Sequence, residues 1–358
     1  MAKQRVVVAM SGGVDSSVAA GLLVKAGYEV LGVTMRLWTA EDAEASRHHK
    51  RCCSVEDTDD ARAAADVLGV RHYVLNLERE FAEGVVDHFV REYALGRTPN
   101  PCLACNDRVK FRPLLEHALA LHADYLATGH YARVHRSGDG FELHRAVDPT
   151  KDQSYVLYTL GQRELSRTLF PVGEMPKGEI RRLAREWGLP NAEKPDSADI
   201  CFIPSGDYRA FVRERVPAVA GAIVDESGAQ IGEHAGIVNY TIGQRRGLPS
   251  RGGGEPLFVV DLDAETNTVV AGENLELMAE GLIAEEISFV SGELPHGELD
   301  VQTRIRYRSE PVSSLLRVEG GRAEVRFERP QRAVTPGQAA VFYDDSRVLG
   351  GGTILRRS

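Results

Sequence analysis

The 358-residue sequence has no apolar stretch that approaches the ~18–20 residues needed to cross a membrane. Nothing near Met1 matches the apolar core of a secretory signal, because Met-Ala-Lys-Gln-Arg leads directly into a strand pattern. Only five cysteines occur, too few and too unevenly spaced for a secreted disulfide scaffold. These absences predict a soluble, cytoplasmic protein without membrane partners, whose cysteines are buried, metal-binding or catalytic.

Overall positive charge is also missing, since the net charge is −9. That balance argues against indiscriminate binding to nucleic acid. The charge is unevenly distributed, because residues 301–358 hold eleven arginines and only six acidic residues. A polyanion is therefore expected to meet a local basic patch near the C-terminal end.

The first 135 residues alternate short apolar runs with helical patterns, starting with the run RVVVAM. This rhythm predicts an α/β fold: a parallel sheet covered by helices, with phosphate chemistry at the carboxyl ends of the strands. After about residue 203 the pattern changes to short strands joined by Gly-rich turns. We expect a catalytic domain over residues 1–203, a small middle domain over 204–283 and a C-terminal β-barrel over 284–358.

A Ser-Gly-Gly-Val-Asp-Ser-Ser junction links the first apolar strand to a helix. Its glycines leave backbone N–H groups uncovered beside a helix N-terminus, an arrangement that suits phosphate. The junction lacks the lysine of a Walker A loop. It resembles instead the loop of the ATP-pyrophosphatase superfamily, whose members split ATP into an adenylated substrate and pyrophosphate. That resemblance implies ATP as co-substrate, Mg²⁺ held with the help of Asp15, and nucleotide contacts from Ala9, Met10, Ser11, Gly12, Gly13, Val14, Asp15, Ser16, Met35 and Gly129.

Two further segments carry cysteines: TPNPCLACNDRVKF contains Cys102 and Cys105, and DSADICFIP contains Cys201. The helical pattern from Asp107 onward predicts Cys105 at a helix start, where the helix dipole stabilises a thiolate. Cys201, between two apolar residues, is either a reactive thiol or a small buried apolar residue. The three cysteines together also offer enough soft ligands for an iron–sulfur cluster with one open iron, or for a partial zinc site.

Across essentially the whole chain, the motifs resemble those of the tRNA-specific 2-thiouridylases. The matching stretches, in the family's order, are SGGVDSS, NPCLACN with VKF, ATGHYAR, KDQSYVLY, DICFI, YTIGQRRGL and PGQAAVFY. The resemblance implies that this chain is an ATP-dependent enzyme, which replaces the C2 oxygen of the wobble uridine in unmodified tRNA by sulfur. Adenylation of that oxygen would come first, with release of pyrophosphate, and sulfur transfer would follow with release of AMP.

The resemblance also assigns roles to the cysteines. Cys201 would carry a persulfide delivered by a cysteine desulfurase or a sulfur-relay protein, and Cys105 would be its nucleophilic partner. A disulfide between the two would then need a reductant. Cys102 stands where family members carry either Asp or Cys, so its role stays open, and we expect the adjacent cysteines at 52 and 53 to be structural.

Contacts to tRNA follow from the same resemblance. The matching positions are His130, Lys151, Asp152, Gln153, Arg306, Tyr307 and Gln338. From the residues alone, Arg304, Arg306 and Arg308 alternate along a predicted strand and so share one face. That face is either a row of phosphate contacts or an ordinary solvated surface. Arg245 and Arg246 are expected near the anticodon arm, and the target uridine must leave its stack to reach ATP and sulfur.

Two other functions stay open at this point. Another adenylating synthetase, one that makes an amide or guanidino product, would share the loop but would have no use for paired cysteines or a basic C-terminal region. A sulfur carrier or metal-binding RNA protein without ATP turnover would have no use for the loop. Consumption of ATP in the presence of tRNA separates these classes.

Overall fold

The structure is a computed structural model, and it describes residues 3–37, 55–196, 200–203, 206–250 and 255–358. The described strands are β1 (Arg5–Ala9), β2 (Glu29–Arg36), β3 (Arg71–Asn76), β4 (Tyr125–Thr128), β5 (Ala132–Ser137), β6 (Gly140–Arg145), β7 (Thr168–Leu169), β8 (Gly221–Val224), β9 (Gln230–His234), β10 (Phe258–Asp263), β11 (Thr268–Gly272), β12 (Met278–Phe289), β13 (Glu298–Arg304), β14 (Val312–Glu319), β15 (Arg322–Arg332), β16 (Ala339–Asp344) and β17 (Arg347–Arg357).

Helices cover the first sheet and join the domains. The α-helical segments are Val14–Lys25, Val55–Val67, Glu78–Phe81, Asp87–Ala94, Pro101–Cys105, Leu115–Ala120, Gln162–Leu165, Lys177–Glu186 and Tyr208–Arg213. Two π-helical segments, Ala82–Val86 and Asn106–Leu114, connect α-helical ones without a break. No helix within the described ranges is long and apolar enough to span a membrane.

The N-terminal sheet is parallel, with strand order β3-β2-β1-β4-β7. The valines of β1 are fully buried, as is usual for a parallel strand covered on both faces. From β1 the chain crosses to β2 on one side and later to β4 on the other, so β1 and β4 flank a topological switch point. Ligands of open α/β sheets bind at that place.

Two helices pack side by side on this sheet. Gly21 in helix Val14–Lys25 has no side chain, and a Cβ there would lie 2.3 Å from the ring of Trp187. Trp187 follows helix Lys177–Glu186, so the missing side chain lets the two helices approach closely. Lys177 at the start of one helix contacts Asp15 in the first turn of the other, so the two N-termini lie together beside the sheet.

The C-terminal strands form a closed antiparallel barrel in the order β12-β15-β14-β13-β16-β17, closed by pairing of β12 with β17. A four-stranded sheet, β10-β11-β8-β9, forms the middle region. The α/β fold with a middle domain and a C-terminal barrel is therefore confirmed. One detail differs from the expectation. β5 is not part of the parallel sheet; it forms a hairpin with β6, and β6 pairs with β17 of the barrel.

The three regions share one continuous apolar core. The largest buried cluster includes Val7 of the parallel sheet, Val259 of the middle region and Val341 of the barrel. Polar contacts reinforce these junctions, since the buried Tyr155 hydroxyl donates a hydrogen bond to the Ala339 carbonyl at 2.8 Å. The barrel is thereby held against the catalytic sheet.

Candidate active site

The loop after β1 is shaped by hydrogen bonds among its own residues. The Ser11 amide donates to the Ser16 hydroxyl at 3.1 Å, and that hydroxyl donates to the Gly13 carbonyl at 3.1 Å. Gly12 takes a φ of +73°, which favours glycine. The Asn191 amide, fully enclosed, donates to the Gly12 carbonyl at 3.0 Å. The loop is therefore preorganised at the N-terminus of helix Val14–Lys25.

Gly129 follows β4 on the other side of the switch point and lies against this loop. A Cβ at Gly129 would come within 2.6 Å of the Ser16 amide nitrogen. Only glycine allows the two backbones to approach so closely. The structure thus brings Gly129 against Ser16 of this loop, and the contact of Ser11, Gly12, Gly13, Ser16 and Gly129 with nucleotide stays a prediction.

Asp15 is held by two donors from distant parts of the chain. The Lys177 ammonium lies 2.7 Å from both carboxylate oxygens of Asp15, and the Tyr131 hydroxyl donates to one of them at 2.6 Å. Burial, reinforced by the Asp15 carboxylate, raises the pKa of Tyr131 far above its ordinary value, so its hydroxyl remains a donor. Asp15 offers the oxygen donors that Mg²⁺ prefers.

A second carboxylate, Asp196, gathers three cations beside Asp15. Its oxygens lie 2.8 Å from Lys151, 2.8 Å from Lys177 and 3.0 Å from Arg181. Burial raises the pKa of the Asp196 carboxyl, but the hydrogen bonds from Lys151 and Lys177 outweigh it, and the pKa falls to about 2. Asp196 is therefore ionised at neutral pH and links the two lysines.

The first pair of thiols lies on a helix that begins earlier than expected. The sequence predicted a helix start near Asp107, but the helix begins at Pro101 because Asn100 caps it and proline suits the first helical position. The Asn100 side chain accepts from the Cys102 amide at 3.0 Å. Cys102 is thus the exposed thiol of the first turn, whereas Cys105 is buried one turn further on.

Cys201 is held in place by its neighbour. The Phe202 ring is buried and makes edge-to-face contacts with Phe81 at 5.7 Å and Phe89 at 5.2 Å between ring centroids. Cys201 itself is half-buried and packs against the cluster that contains Ala9, Met35 and Cys105. Cys105 and Cys201 therefore both border the apolar core that the parallel sheet shares with the middle region and the barrel.

The three described cysteines are not gathered into a group of three potential metal ligands. Over the part of the chain that the structure describes, no group of three or more Cys, His, Asp or Glu residues is close enough together to hold a metal ion. The iron–sulfur cluster considered from the sequence therefore has no three-ligand group among these residues, and no step of the reaction is routed through it. The cysteines at 52 and 53 lie outside the described residues.

His130 lies inside the protein. Its ring Nδ1 lies 2.8 Å from the Thr128 hydroxyl, and the ring packs between Phe111 and Phe170. Burial, together with nearby Lys110, lowers the pKa of His130 well below its ordinary value. The imidazole is therefore neutral at pH 7, and its expected contact with tRNA remains a prediction.

The three residues of the Lys-Asp-Gln segment each have a partner within the protein. Lys151 pairs with Asp196 as described above. Asp152 is buried and pairs with Arg304 of the barrel at 3.2 Å. The Gln153 side-chain oxygen accepts from the Tyr131 amide at 3.0 Å. These contacts give the segment an internal role beside its expected contact with tRNA.

The prediction that Arg304, Arg306 and Arg308 share one face of a strand is wrong. β13 ends at Arg304, and the chain then turns, because the Ser309 side chain caps the turn by donating to the Arg306 carbonyl at 3.0 Å. Arg304 points to Asp152, Arg306 donates to the Ala333 carbonyl, and only Arg308 is exposed. A single face tracking phosphates therefore does not exist.

The remaining predicted tRNA positions lie near the thiol helix or on the surface. Burial, reinforced by the Asp152 carboxylate, raises the pKa of the Tyr307 phenol. The Gln338 side chain donates to the Thr98 carbonyl at 2.7 Å, four residues before Cys102. Arg245 and Arg246 are exposed in the middle region.

Sequence reasoning missed Tyr131, Lys177, Asn191 and Asp196. One signal was available for Lys177, because a lysine at the first position of a helix opposes the helix dipole and so needs a nearby anion. Asp196 lies within the cysteine motif that was singled out. Tyr131 and Asn191 carry no local signal, since their partners are distant in sequence.

The chain is similar to three family models. Residues 4–205 match "tRNA methyl transferase HUP domain", residues 209–273 match "tRNA methyl transferase PRC-barrel domain", and residues 279–354 match "Aminomethyltransferase beta-barrel domain". These descriptions refer to methyl and aminomethyl transfer.

Curated relatives carry a different activity in their names. The chain is 50% identical to "tRNA-specific 2-thiouridylase MnmA" of Geobacter metallireducens, over 99% of this chain and 97% of the relative. It is 48% identical to the protein of the same name from Roseiflexus castenholzii, over 98% and 99%. Among solved structures, a 4-thiouridine synthetase–RNA complex with bound ATP matches 60% of this chain and 50% of its own, with 18% identity and a TM-score of 0.36. Full-length identity near 50% therefore favours thiolation over methyl transfer.

Proposed function

Because the chain belongs to the tRNA-specific 2-thiouridylases, we propose that it replaces the C2 oxygen of the wobble uridine in tRNA by sulfur, using ATP. The observation that carries this proposal is the preorganised loop at the switch point: the Ser11 amide donates to the Ser16 hydroxyl at 3.1 Å, and Gly129 lets the backbone after β4 pack against Ser16. Adenylation of a base needs such a phosphate-binding loop, and delivery of sulfur needs thiols such as Cys105 and Cys201 on the same chain. The division into residues 1–203, 204–283 and 284–358 is part of the proposal.

The first step activates C2 of the uridine, which is a poor electrophile. The uridine C2 oxygen attacks the α-phosphorus of ATP, pyrophosphate leaves, and the N3 proton is lost. The loop amides and the Ser11 and Ser16 hydroxyls face the phosphates, and Asp15 is the residue that would hold Mg²⁺, which supplies charge neutralisation of the phosphates when bound. Oxygen is thereby converted into a leaving group.

The second step delivers sulfur. The terminal sulfur of a Cys201 persulfide attacks C2 and expels AMP, and the Cys105 thiolate then attacks the Cys201 sulfur, breaking the S–S bond. Electrons of that bond stay on the transferred sulfur, N3 regains its proton, and a Cys105–Cys201 disulfide remains for a thiol reductant to open. Alternatively, Cys105 first releases the persulfide sulfur as sulfide, which attacks C2 itself.

Sulfur must be supplied from outside, because the chain's own cysteine thiols would otherwise be consumed. The proposed donor is a cysteine desulfurase or a sulfur-relay protein that charges Cys201. Cys201 is half-buried rather than enclosed, which leaves its sulfur reachable for such a transfer. The proposed substrate is tRNA with an unmodified wobble uridine, and the predicted contacts from His130, Gln338 and the Lys-Asp-Gln segment belong to this proposal.

The test is direct. The purified protein is incubated with ATP, Mg²⁺, unmodified tRNA and a persulfide donor, and the digested tRNA is examined by mass spectrometry. ATP-dependent 2-thiouridine at the wobble position is expected. A methylated nucleoside instead would refute thiolation in favour of methyl transfer, and AMP formation with an amide or guanidino product would refute it in favour of another adenylating synthetase. Absence of AMP with bound tRNA would indicate a non-catalytic RNA-binding protein.

A further inference from the structure

We propose that the middle region takes part in sulfur transfer by positioning Cys201. Phe211, on helix Tyr208–Arg213, sets the place of the Cys201 sulfur by supporting the ring of Phe202. Phe211 is a positioning residue, because it acts through Phe202 rather than on the substrate. The inference rests on the proposed function, in which Cys201 carries the persulfide, and it gives the middle region a task beyond the expected contact with tRNA.

Cys201 lies in a tight turn together with Phe202. The Ile203 amide donates to the Ile200 carbonyl at 3.0 Å, which closes the turn around these two residues. Phe202 is only 2% exposed, whereas Cys201 is half-buried. Each residue has only two soft backbone dihedrals, so neighbouring side chains of a closed turn cannot move independently. The place of the Phe202 ring therefore determines the place of the Cys201 sulfur.

Three aromatic rings contact Phe202, and they come from two parts of the molecule. Phe81 and Phe89 belong to the helical segments after β3, and their ring centroids lie 5.7 and 5.2 Å from that of Phe202. Phe211 approaches from the middle region at 5.3 Å, with an angle of 62° between the ring planes. These distances and angles are those of favourable aromatic pairs. Removing the Phe211 ring therefore takes away the support that the middle region gives to Phe202.

The helix that carries Phe211 is held by contacts to both neighbouring regions. The Tyr208 ring stacks on Tyr93 of the catalytic region, with 4.7 Å between the ring centroids. Towards the middle region, the Arg209 Nε group donates to the Asn239 carbonyl at 3.0 Å. A residue can position another only if its own place is fixed, and these contacts meet that requirement.

Phe211 itself is half-buried, and an arginine covers its ring. The Arg215 guanidinium lies 3.7 Å from the ring centroid and also donates to the Phe211 carbonyl at 2.9 Å. A guanidinium over a ring face is attracted by the ring, so this contact keeps the ring in its place. Because Phe211 is not fully enclosed, tyrosine can replace it and retain the ring.

The same helix connects the sulfur-bearing turn with the exposed arginines of the middle region. The Arg209 guanidinium donates to the Gln244 side-chain oxygen at 3.0 Å, and the Gln244 amide donates to the Arg246 carbonyl at 2.8 Å. Arg245 and Arg246 are exposed and are expected near the anticodon arm. The helix thus joins the expected tRNA surface to Cys201, as a support that orients sulfur relative to tRNA must do.

Alkylation of Cys201 by iodoacetamide, followed by mass spectrometry of its peptide, measures how firmly the turn is held. In Phe211→Ala the alkylation should be about 2–10-fold faster, the change that corresponds to the loss of one aromatic pair. Phe211→Tyr retains the ring and should restore the original rate. The matched control is Phe258→Ala, because Phe258 is another half-buried phenylalanine of the middle region and its ring lies 5.2 Å from the Arg332 guanidinium. This control should leave the Cys201 rate unchanged.

Single-turnover kinetics with a Cys201 persulfide, ATP and unmodified tRNA separate the two steps of the reaction. Pyrophosphate release reports adenylation and should be unchanged in Phe211→Ala. Formation of 2-thiouridine reports sulfur transfer and should be about 10–100-fold slower, because a displacement of about 1 Å costs a reaction this much rate. If Phe211→Ala fails to fold, Phe211→Leu keeps most of the apolar volume without the ring and should show both effects in the same direction.

Three outcomes would overturn the proposal. One is an unchanged Cys201 alkylation rate in folded Phe211→Ala. Another is equal slowing of pyrophosphate release and 2-thiouridine formation, which would indicate damage to the whole active site. The third is the same set of effects in Phe258→Ala, which would indicate a general loss of stability. Because alkylation uses neither ATP nor tRNA, failure of the unsubstituted protein to form 2-thiouridine would refute the proposed function and leave the role of Phe211 in holding Cys201 to be decided by alkylation.

Discussion

Replacing Asp152 by alanine tests whether this residue serves the interior or the tRNA. Its carboxylate accepts hydrogen bonds from the Ala146 amide at 3.2 Å, the Ser154 amide at 3.2 Å and the Ser154 hydroxyl at 3.0 Å. It also pairs with Arg304 at 3.2 Å, and the two side chains are 3% and 14% exposed. Asp152→Ala therefore leaves a buried guanidinium without its carboxylate.

Breaking a buried pair by removing one partner typically costs about 3–5 kcal/mol. Arg304 keeps its hydrogen bond to the Tyr307 carbonyl, so a loss near the lower end, about 3 kcal/mol of unfolding free energy, is expected for Asp152→Ala. Because the pair joins the catalytic region to the barrel, the unfolding transitions of both regions should shift to lower urea concentration.

Urea unfolding followed by circular dichroism measures this loss. A double-mutant cycle with Arg304→Met should show the double variant to be more stable than the sum of the single effects predicts, by about 0.5–3 kcal/mol. The control is Glu174→Gln, since Glu174 is 57% exposed and lies 3.9 Å from Arg133; its effect should stay within about 1 kcal/mol. Unchanged stability of Asp152→Ala with strongly weakened tRNA binding would refute the internal role.

Four further predictions concern Gly129, Cys201, Cys102 and His130. Gly129→Ala should abolish ATP binding, because its Cβ would meet the Ser16 amide at 2.6 Å, whereas Gly178→Ala, with open space around it, should bind ATP normally in the same titration. Cys201→Ser should retain ATP binding and lose thiolation, measured by mass spectrometry. Full thiolation by this variant would exclude the persulfide assignment. Cys102→Ser should retain most of the thiolation activity if the Cys102 thiol only orients the base. Stability in urea should fall as pH drops below about 6.5, because burial lowers the pKa of His130 and only the unfolded chain then binds the proton; a pH slope that is unchanged in His130→Gln would contradict this.

The fold class could be predicted because its signals are local. Buried valine runs followed by helical patterns indicate a parallel sheet, and alternating strands with Gly-rich turns indicate the barrel. The path of β5 could not be predicted this way. Its residues have a strand pattern, but whether a strand joins a parallel sheet or a hairpin depends on which partner it meets, and here β6 is adjacent in the chain.

The start of the thiol helix was predictable in principle. Asn100 followed by Pro101 is a cap and a first helical residue, a signal that is more direct than the helical pattern after Asp107. With that start, Cys102 and Cys105 lie three residues apart, in successive turns of one helix. The exposed thiol at the helix N-terminus is then Cys102, and Cys105 is shielded inside.

The Lys-Asp-Gln segment shows why the rest of the site is not readable from local sequence. Three consecutive polar residues look like a solvated surface or a contact for RNA, yet each engages a different part of the molecule. Lys151 pairs with Asp196, 45 residues away, and Asp152 pairs with Arg304, 152 residues away. Gln153 braces Tyr131, which holds Asp15. Polar side chains can be placed only when the fold supplies their counter-charges. This segment connects the ion pairs of Asp196, the loop after β1 and the barrel without any local pattern that predicts it.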